Sequence, residues 1–213
     1  PFDDTLTTTM WETAKYLCKN IQGCKIAYTQ SDEISLLLID YENIDTCAWF
    51  DNNIQKIVSI SASMATLAFN KAFRSNVNQL KKSLTFRTRR QGYPTDEAWE
   101  YFYMLEKKLD SAMFDSRAFT LPKEEVVNYF IWRQQDAIRN SIQMVGQANF
   151  SHKQLHGKSC DNIQEMLLQI KNINWNDIST YQKRGACIIK EQYKLDNKQE
   201  TLRSNWIADK NIP

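Results

Sequence analysis

The run Ile26-Ala27-Tyr28-Thr29-Gln30-Ser31-Asp32-Glu33-Ile34-Ser35-Leu36-Leu37-Leu38 places two adjacent carboxylates between two segments that read as buried strands. Its second arm alternates Ile34, Leu36 and Leu38 on one face with Ser35, Leu37 and Ile39 on the other, so both faces are mostly apolar and an interior strand is expected. A charged pair at the tip of an apolar hairpin must be solvated, paired or bound to a cation. Adjacent carboxylates at a strand turn can hold Mg²⁺ against a phosphate, so Asp32 and Glu33 are candidate catalytic and metal-ligating residues. The competing reading is a solvated turn, because acidic residues are ordinary turn residues.

At 213 residues and 42% hydrophobic content, the chain can bury one large domain, or one domain with a helical appendage. With 27 basic and 25 acidic residues, attraction to nucleic acid must come from local clustering. Five widely spaced cysteines, with no Cys-x-x-Cys pair, fit reduced thiols and a cytoplasmic setting. No apolar run approaches membrane-spanning length and no signal peptide is visible. The chain begins at Pro1, without an initiator methionine.

Pro1-Phe2-Asp3-Asp4 followed by Leu6, Met10, Ala14 and Leu17 predicts a capped helix ending near Gly23. Trp49 to about Phe73 predicts a long, largely buried helix whose Ser59, Ser61, Ala62, Ser63 and Ala65 suit close packing on a sheet. The basic residues Lys81, Lys82, Arg87, Arg89 and Arg90, then Gly92-Tyr93-Pro94 and an aromatic stretch through Tyr103, suggest an exposed loop or helical excursion. Ala112 to Phe119 reads as a strand closed by Leu121-Pro122, and Lys123 opens a helix to about Gly146. A short His/Lys segment from Ser151 to Lys158, a helix over 162–170 and a strand from Arg184 to Tyr193 follow. The order predicts an α+β fold: part of a ferredoxin-like antiparallel sheet with helices on one face. Polymerase palms, nucleotide cyclases and RNA-recognition modules share that arrangement, so topology does not choose among them. The expected division is a palm-like catalytic domain at 1–120 and a mainly helical extension with a returning strand at 121–213.

For nucleotidyl transfer by two metal ions, two carboxylates from one turn rarely suffice and a third usually comes from a neighbouring strand, but none is obvious upstream of the hairpin. Lys56, in the first turns of the long helix, could meet a triphosphate as a point charge, or could simply sit on a solvated face. Arg133 and Asp136 are spaced to pair along a helix, while Arg133 and Arg139 could equally engage phosphate. His152 and His156 have metal spacing on one helical face but lack a third ligand. With Lys153 and Lys158 they suit an RNA-facing polar patch better than zinc.

Pro1-Phe2-Asp3, Tyr28 through Glu33, Trp49-Phe50 with Lys56, Phe114-Asp115-Ser116-Arg117, Trp132 through Asp136 and Lys183-Arg184-Gly185 occur in the order seen in tRNA-His guanylyltransferases and their relatives. The chain resembles that family over almost its whole length. The resemblance implies a polymerase-like palm that extends RNA in the 3′-to-5′ direction, with ATP and GTP as substrates, two Mg²⁺ ions, tRNA as partner and a homotetramer. It implies that the RNA 5′ end is activated, by adenylylation of a monophosphate or as a triphosphate, and that the 3′-hydroxyl of the incoming nucleotide then attacks it. Asp32 would be a shared metal ligand and Glu33 its acidic neighbour, while Asp3, Ser31 and Lys56 would hold nucleotide phosphate or order the site.

Two departures stand out. The family's first strand carries an Arg-x-Asp-Gly motif with the other metal-binding aspartate, and a nearby Phe-His; neither occurs in this chain. The intact protein is expected to have that strand, and a chain starting at Pro1 is expected to add no nucleotide. After the Trp-Arg-Gln motif eukaryotic tRNA-His guanylyltransferases carry a His-Ile-Asn-Asn-Leu-Tyr-Asn-Thr segment, whereas here Asp136 is followed by Ala137-Ile138-Arg139-Asn140-Ser141-Ile142-Gln143, in which only Asn140 keeps its place. This version resembles the guanylyltransferase-like branch, which repairs 5′-truncated tRNA by templated addition, more than the enzymes dedicated to the extra guanosine of tRNA-His. A cyclase would not need the basic residues at 81–90, Arg133, Arg139, His152 and Lys158, and a non-catalytic RNA-binding module would have no use for Ser31-Asp32-Glu33.

Overall fold

A computed structural model describes residues 2–91, 95–194 and 202–212, with the backbone alone at 88–91. By contact it forms two units, one of Asp4–Lys25 with Leu37–Ala118, the other of Pro1–Asp3, Ile26–Leu36 and Phe119–Pro213. This grouping differs from the linear division expected at 120, because the hairpin tip joins the segments that follow it.

In the first unit, α1 (Asp4–Asn20) lays a stripe of Met10, Ala14 and Leu17 against α2 (Ile54–Gln91). Thr9 and Thr13 are also fully buried there, which is tolerable because their hydroxyls donate to the carbonyls of Thr5 and Thr9 at 2.6 and 2.7 Å. Asn76 on α2 donates to the Thr9 hydroxyl at 3.0 Å. The helix expected from Trp49 begins later. Trp49–Asn52 is a short 3-10 turn in which Phe50, Asp51 and Asn52 take φ of 52, 50 and 57°. That left-handed run cannot enter an α-helix, and Asn53 restarts the chain by accepting the Lys56 N–H at 3.1 Å.

α2 also runs past Phe73 through the basic segment, so of the two expectations there, an exposed loop or a helical excursion, the helical one holds as far as Gln91. Its buried stripe of Ser61, Ala65, Ala68, Phe69, Phe73, Val77 and Leu84 keeps helical period, and no Gly or Pro interrupts it before Gly92. Of the small residues expected to be packed, Ser61 and Ala65 are, whereas Ser59 and Ser63 are exposed. α3 (Asp96–Glu106) buries Phe102 and Leu105.

The segment expected as a strand at 112–119 joins no sheet among the described residues. Its side chains do alternate between exposed and half-buried, yet its backbone is satisfied by side chains of α2. Asn70 donates to the Ala112 carbonyl at 2.9 Å, its own Oδ1 accepts the Ala112 N–H at 3.3 Å, and Thr66 Oγ1 accepts the Phe114 N–H at 3.0 Å. The periodicity reflects this alternation of burial and not a place in a sheet.

The second unit carries most of a sheet of β1 (Cys24–Gln30), β2 (Glu33–Leu38), β3 (Ala186–Lys194) and β4 (Leu202–Asp209), in the order β2-β1-β3-β4. β3 pairs antiparallel with both neighbours, setting Tyr28 opposite Cys187 and Cys187 opposite Asp209. The α+β class is as expected. β2 is an edge strand among the described residues, and its side chains from Ile34 onward are half-buried, so the expected interior position does not hold. β4 carries no apolar alternation in its outer half, which is exposed, and pairing alone makes it a strand.

α4 (Val126–Asn149) and α6 (Cys160–Lys171) enclose a core of Ile142, Val145, Phe150, Ile163, Leu167 and Trp175, with the Trp175 indole donating to Ser141 Oγ at 3.2 Å. No described helix is long and apolar enough to cross a membrane.

The cysteines differ in reactivity for physical reasons. Cys47 is exposed, burial and then Asp209 push the Cys187 thiol up to about 11, and a hydrogen bond with Cys24, then burial, push Cys18 up strongly. Only the thiolate attacks, so at pH 8 Cys187 is ionised at roughly one part in a thousand. In an iodoacetamide time course read by peptide mass spectrometry, Cys47 should label first and Cys187 should catch up only in denaturant. Equal rates in the folded protein would contradict this environment.

Candidate functional site

Ser31 and Asp32 connect β1 to β2, and Ser31 has a φ of 49°. Tight hairpins whose twist matches their strands need positive φ at the turn, a conformation that costs any residue but glycine. Asp32 is exposed at the tip and has neither ion pair nor hydrogen bond to a described residue.

Glu33 is placed differently. Gln30, across the turn, donates from Nε2 to its Oε2 at 2.9 Å, and the Arg133 guanidinium of α4 forms an ion pair with the same oxygen. Arg133 also faces Asp136 at 3.7 Å, and Asp136 in turn pairs with Arg139 and accepts from Asn140 Nδ2 at 3.2 Å. The side chains of Arg133 and Asp136 are only 12% and 18% exposed, against 55% for Glu33 and 63% for Arg139. Four charges of alternating sign thus run from the hairpin into α4 and out to solvent. Tyr129 of α4 adds a second tie through its hydroxyl, 3.0 Å from Ser35 Oγ of β2.

Behind the turn, Tyr28 of β1 is buried and donates its hydroxyl proton to the Arg184 carbonyl at 2.5 Å. Burial, then the neighbouring Cys187, raises its pKa well above the ordinary phenol value, with Arg133 opposing, so it serves as a neutral donor and not as a base. Gly185, just before β3, has φ +81° and ψ −170° and lies under this contact.

Of the sequence candidates, the structure brings Ser31, Asp32, Glu33, Arg133, Arg139 and Asn140 into one connected group. Arg133, expected on RNA, forms an ion pair with Glu33 and faces Asp136 at 3.7 Å, the i, i+3 pairing that the sequence also offered. Glu33, expected as a metal ligand, has its charge balanced by Arg133. Among the described residues no three His, Cys, Asp or Glu side chains gather to hold a metal ion. Asp32 alone offers an uncommitted carboxylate, so these residues do not by themselves fit a two-ion Mg²⁺ centre.

Asp3 is half-buried and already has a polar partner. His152 and His156 have ring centroids 6.1 Å apart, His156 lying just beyond the short α5 (His152–Leu155), and Lys153 and Lys158 are exposed beside them. No described third ligand completes a zinc site there. In the other unit Lys56 is exposed in the first turn of α2, 5.9 Å from the Phe50 ring centre. Lys81 lies 5.2 Å over the Phe102 ring and 3.6 Å from Glu106, while Lys82 and Arg87 are exposed. The side chains of Arg89 and Arg90, like Gly92-Tyr93-Pro94, lie outside the described residues. Sequence reasoning missed Gln30 and Tyr129 as supports, and the left-handed run before α2. Asp51-Asn52-Asn53 was the available signal for that run, because Asp and Asn tolerate left-handed φ best after glycine.

The four-stranded sheet and its helices make this an α+β protein, with an exposed carboxylate, Asp32, at the β1–β2 turn. The chain belongs to the tRNA-His guanylyltransferase family: the family model described as "Thg1: tRNAHis guanylyltransferase" matches residues 1–122. Among relatives, it is 25% identical over 198 residues to "Uncharacterized protein R259" of Acanthamoeba polyphaga mimivirus, covering 84% of this chain and 60% of that protein. It is 27% identical over 213 residues to "Probable tRNA(His) guanylyltransferase" of Dictyostelium discoideum, covering 95% and 71%. The chain thus spans only about three fifths of the viral relative's length.

Among solved structures, a bacterial tRNA(His) guanylyltransferase (Thg1)-like protein in complex with ATP superposes with a TM-score of 0.77 at 46% identity, covering all of this chain and 75% of that one. The corresponding GTP complex gives 0.73 at 43% identity, covering 100% and 74%. The Saccharomyces cerevisiae tRNA(His) guanylyltransferase, at 18% identity and a TM-score of 0.63 with 100% and 80% covered, shares the fold.

Proposed function

We propose that this protein is a nucleotidyltransferase that adds nucleotides to the 5′ end of tRNA in the 3′-to-5′ direction, with the opposite strand as template, and so repairs 5′-truncated tRNA. The observation that carries this reading is the exposed, uncommitted Asp32 at a hairpin tip clamped to α4, in a chain 46% identical to a Thg1-like protein that binds ATP. Related proteins bound to ATP and to GTP support nucleoside triphosphates as substrates.

The tRNA 5′ phosphate is first activated, by transfer of AMP from ATP with release of pyrophosphate, or is already a triphosphate. The 3′-hydroxyl of the incoming nucleotide then forms a new P–O bond, and AMP or pyrophosphate leaves. Mg²⁺ bound here would neutralise charge on the phosphates, and Asp32 is the residue that would hold it. Ser31 and Lys56 are assigned to nucleotide phosphates, and Asp3 to ordering the site. Lys82, Arg87, Arg139, Asn140, His152, Lys153, His156 and Lys158 are assigned to the tRNA backbone, where cations supply most of the affinity. We place residues 1–120 as the catalytic palm and the remainder as its tRNA-contacting extension, in a cytoplasmic homotetramer whose subunits share the RNA.

The test is to incubate the intact protein with labelled tRNA lacking its first nucleotides, Mg²⁺ and the four triphosphates. Stepwise growth at the 5′ end up to full pairing is expected. No growth, or a cyclic nucleotide as the product, would overturn the reading. The second reading, addition of one guanosine to tRNA-His, is favoured by the Dictyostelium relative's name, and would give growth by a single G on that tRNA only.

A further inference from the structure

We infer that Arg133 is a positioning residue: through Glu33 it holds the β1–β2 turn in the shape that presents the Asp32 carboxylate, and it takes no part in binding RNA. The inference rests on Asp32 being the working carboxylate of the proposed reaction.

The turn is short, exposed and conformationally unfavourable. Ser31 at φ 49° would relax toward commoner backbone geometries if nothing held it, and an exposed hairpin end is where local opening is easiest. The restraint comes from the residue beside Asp32. Glu33 opens β2, and its carboxylate is gripped from the near side by Gln30 and from α4 by Arg133. With Glu33 fixed at both ends, by strand pairing of its backbone and by Arg133 at its tip, the peptide joining it to Asp32 has little freedom. Ser35 and Tyr129 make a second tie one strand repeat further on.

Arg133 is itself built to face the hairpin. One terminal nitrogen meets Glu33 and the other meets Asp136, whose remaining acceptor capacity is taken by Arg139 and Asn140. Its guanidinium also lies 5.0 Å from the Trp132 ring centre, and the side chain is 12% exposed. A phosphate would have to displace two carboxylates to reach it. Arg139, at 63% exposed, is the member of this network open to a phosphate.

The test compares Arg133→Met, Arg133→Lys, Glu33→Gln and the Arg133→Met/Glu33→Gln double variant in the intact protein. Hydrogen exchange at the amides of residues 32–34 should rise in Arg133→Met, while exchange in α6 stays as in the parent. kcat for 5′ extension should fall about 10- to 100-fold, the range for loss of a residue that orients a working group. The tRNA Kd should stay within about twofold and its salt dependence should not change, because no phosphate contact is lost. Arg133→Lys should recover part of kcat, and the double variant should be no slower than Arg133→Met, since both act on one linkage.

A tRNA Kd weakened tenfold or more with a shallower salt slope and unchanged kcat would overturn the inference in favour of an RNA contact. Unchanged exchange at 32–34 in both Arg133 variants would overturn it too. If Arg133→Met does not fold, Arg133→Lys and Glu33→Gln decide the matter by the same exchange measurement. That measurement needs no turnover, so failure of the parent protein to extend tRNA would count against the proposed function and not against the clamp.

Discussion

Gly185→Ala should destabilise the protein by roughly 3–5 kcal/mol, a large share of the stability of an ordinary domain. Two independent effects add at this position. The backbone at φ +81° and ψ −170° is open to glycine and strained for any L side chain. A β-carbon there would lie 2.6 Å from the Thr29 carbonyl oxygen, 2.7 Å from the Tyr28 hydroxyl oxygen and 2.8 Å from Tyr28 Cζ. The first of these contacts is backbone of β1, and it can move only by breaking the pairing of Thr29 with Ala186. Removing the hydroxyl in a Tyr28→Phe/Gly185→Ala double variant should therefore fail to restore stability, since the carbonyl clash and the backbone strain remain. Urea unfolding followed by circular dichroism gives the comparison. A midpoint for Gly185→Ala within about 1 kcal/mol of the parent would contradict the observed packing of the β1–β3 junction.

Asp32→Ala should reduce nucleotide addition by about a thousandfold or more while leaving fold and tRNA affinity almost unchanged. Its side chain is exposed and has no polar partner among the described residues, so truncation removes no structural contact and should change stability by no more than about 0.5 kcal/mol. The loss should come entirely in the chemical step. Asp32→Asn keeps shape and hydrogen-bonding capacity but not charge, and should be almost as impaired. Single-turnover extension, a thermal melt and filter binding of tRNA separate the three quantities. An Asp32→Ala protein that binds tRNA tenfold more weakly, or one that extends it at the parent rate, would show that the carboxylate is not the working group.

The hairpin was legible in sequence because both of its determinants are local: apolar arms at strand period and a polar interruption between them. The extent of α2 was obscured because Lys81, Lys82 and Arg87 left a solvated loop and a helical excursion equally open, although Val77 and Leu84 continued the buried stripe beneath them. At 112–119 the reverse occurred, a true alternation without a sheet, because Asn70 and Thr66 of α2 take the place of a neighbouring strand. The roles of Glu33 and Arg133 were the least legible. Each residue type fitted an attractive local reading, metal ligand and phosphate contact respectively. Only the fold brings the two together and neutralises them against each other, leaving Asp32 as the free carboxylate. Gly185 shows the same limit from another side: the Lys183-Arg184-Gly185 triplet marked it as part of the family resemblance, but the approach of Thr29 and Tyr28 explains it.

The most direct test of templated 5′ addition uses two tRNAs that lack the first nucleotide and differ only in the base opposite the gap. Each is incubated with the intact protein, ATP, Mg²⁺ and one nucleoside triphosphate at a time. The nucleotide joined to the 5′ end should change with the opposing base, following Watson–Crick complementarity in both substrates. Addition of guanosine regardless of that base, or no addition to either tRNA, would contradict the account.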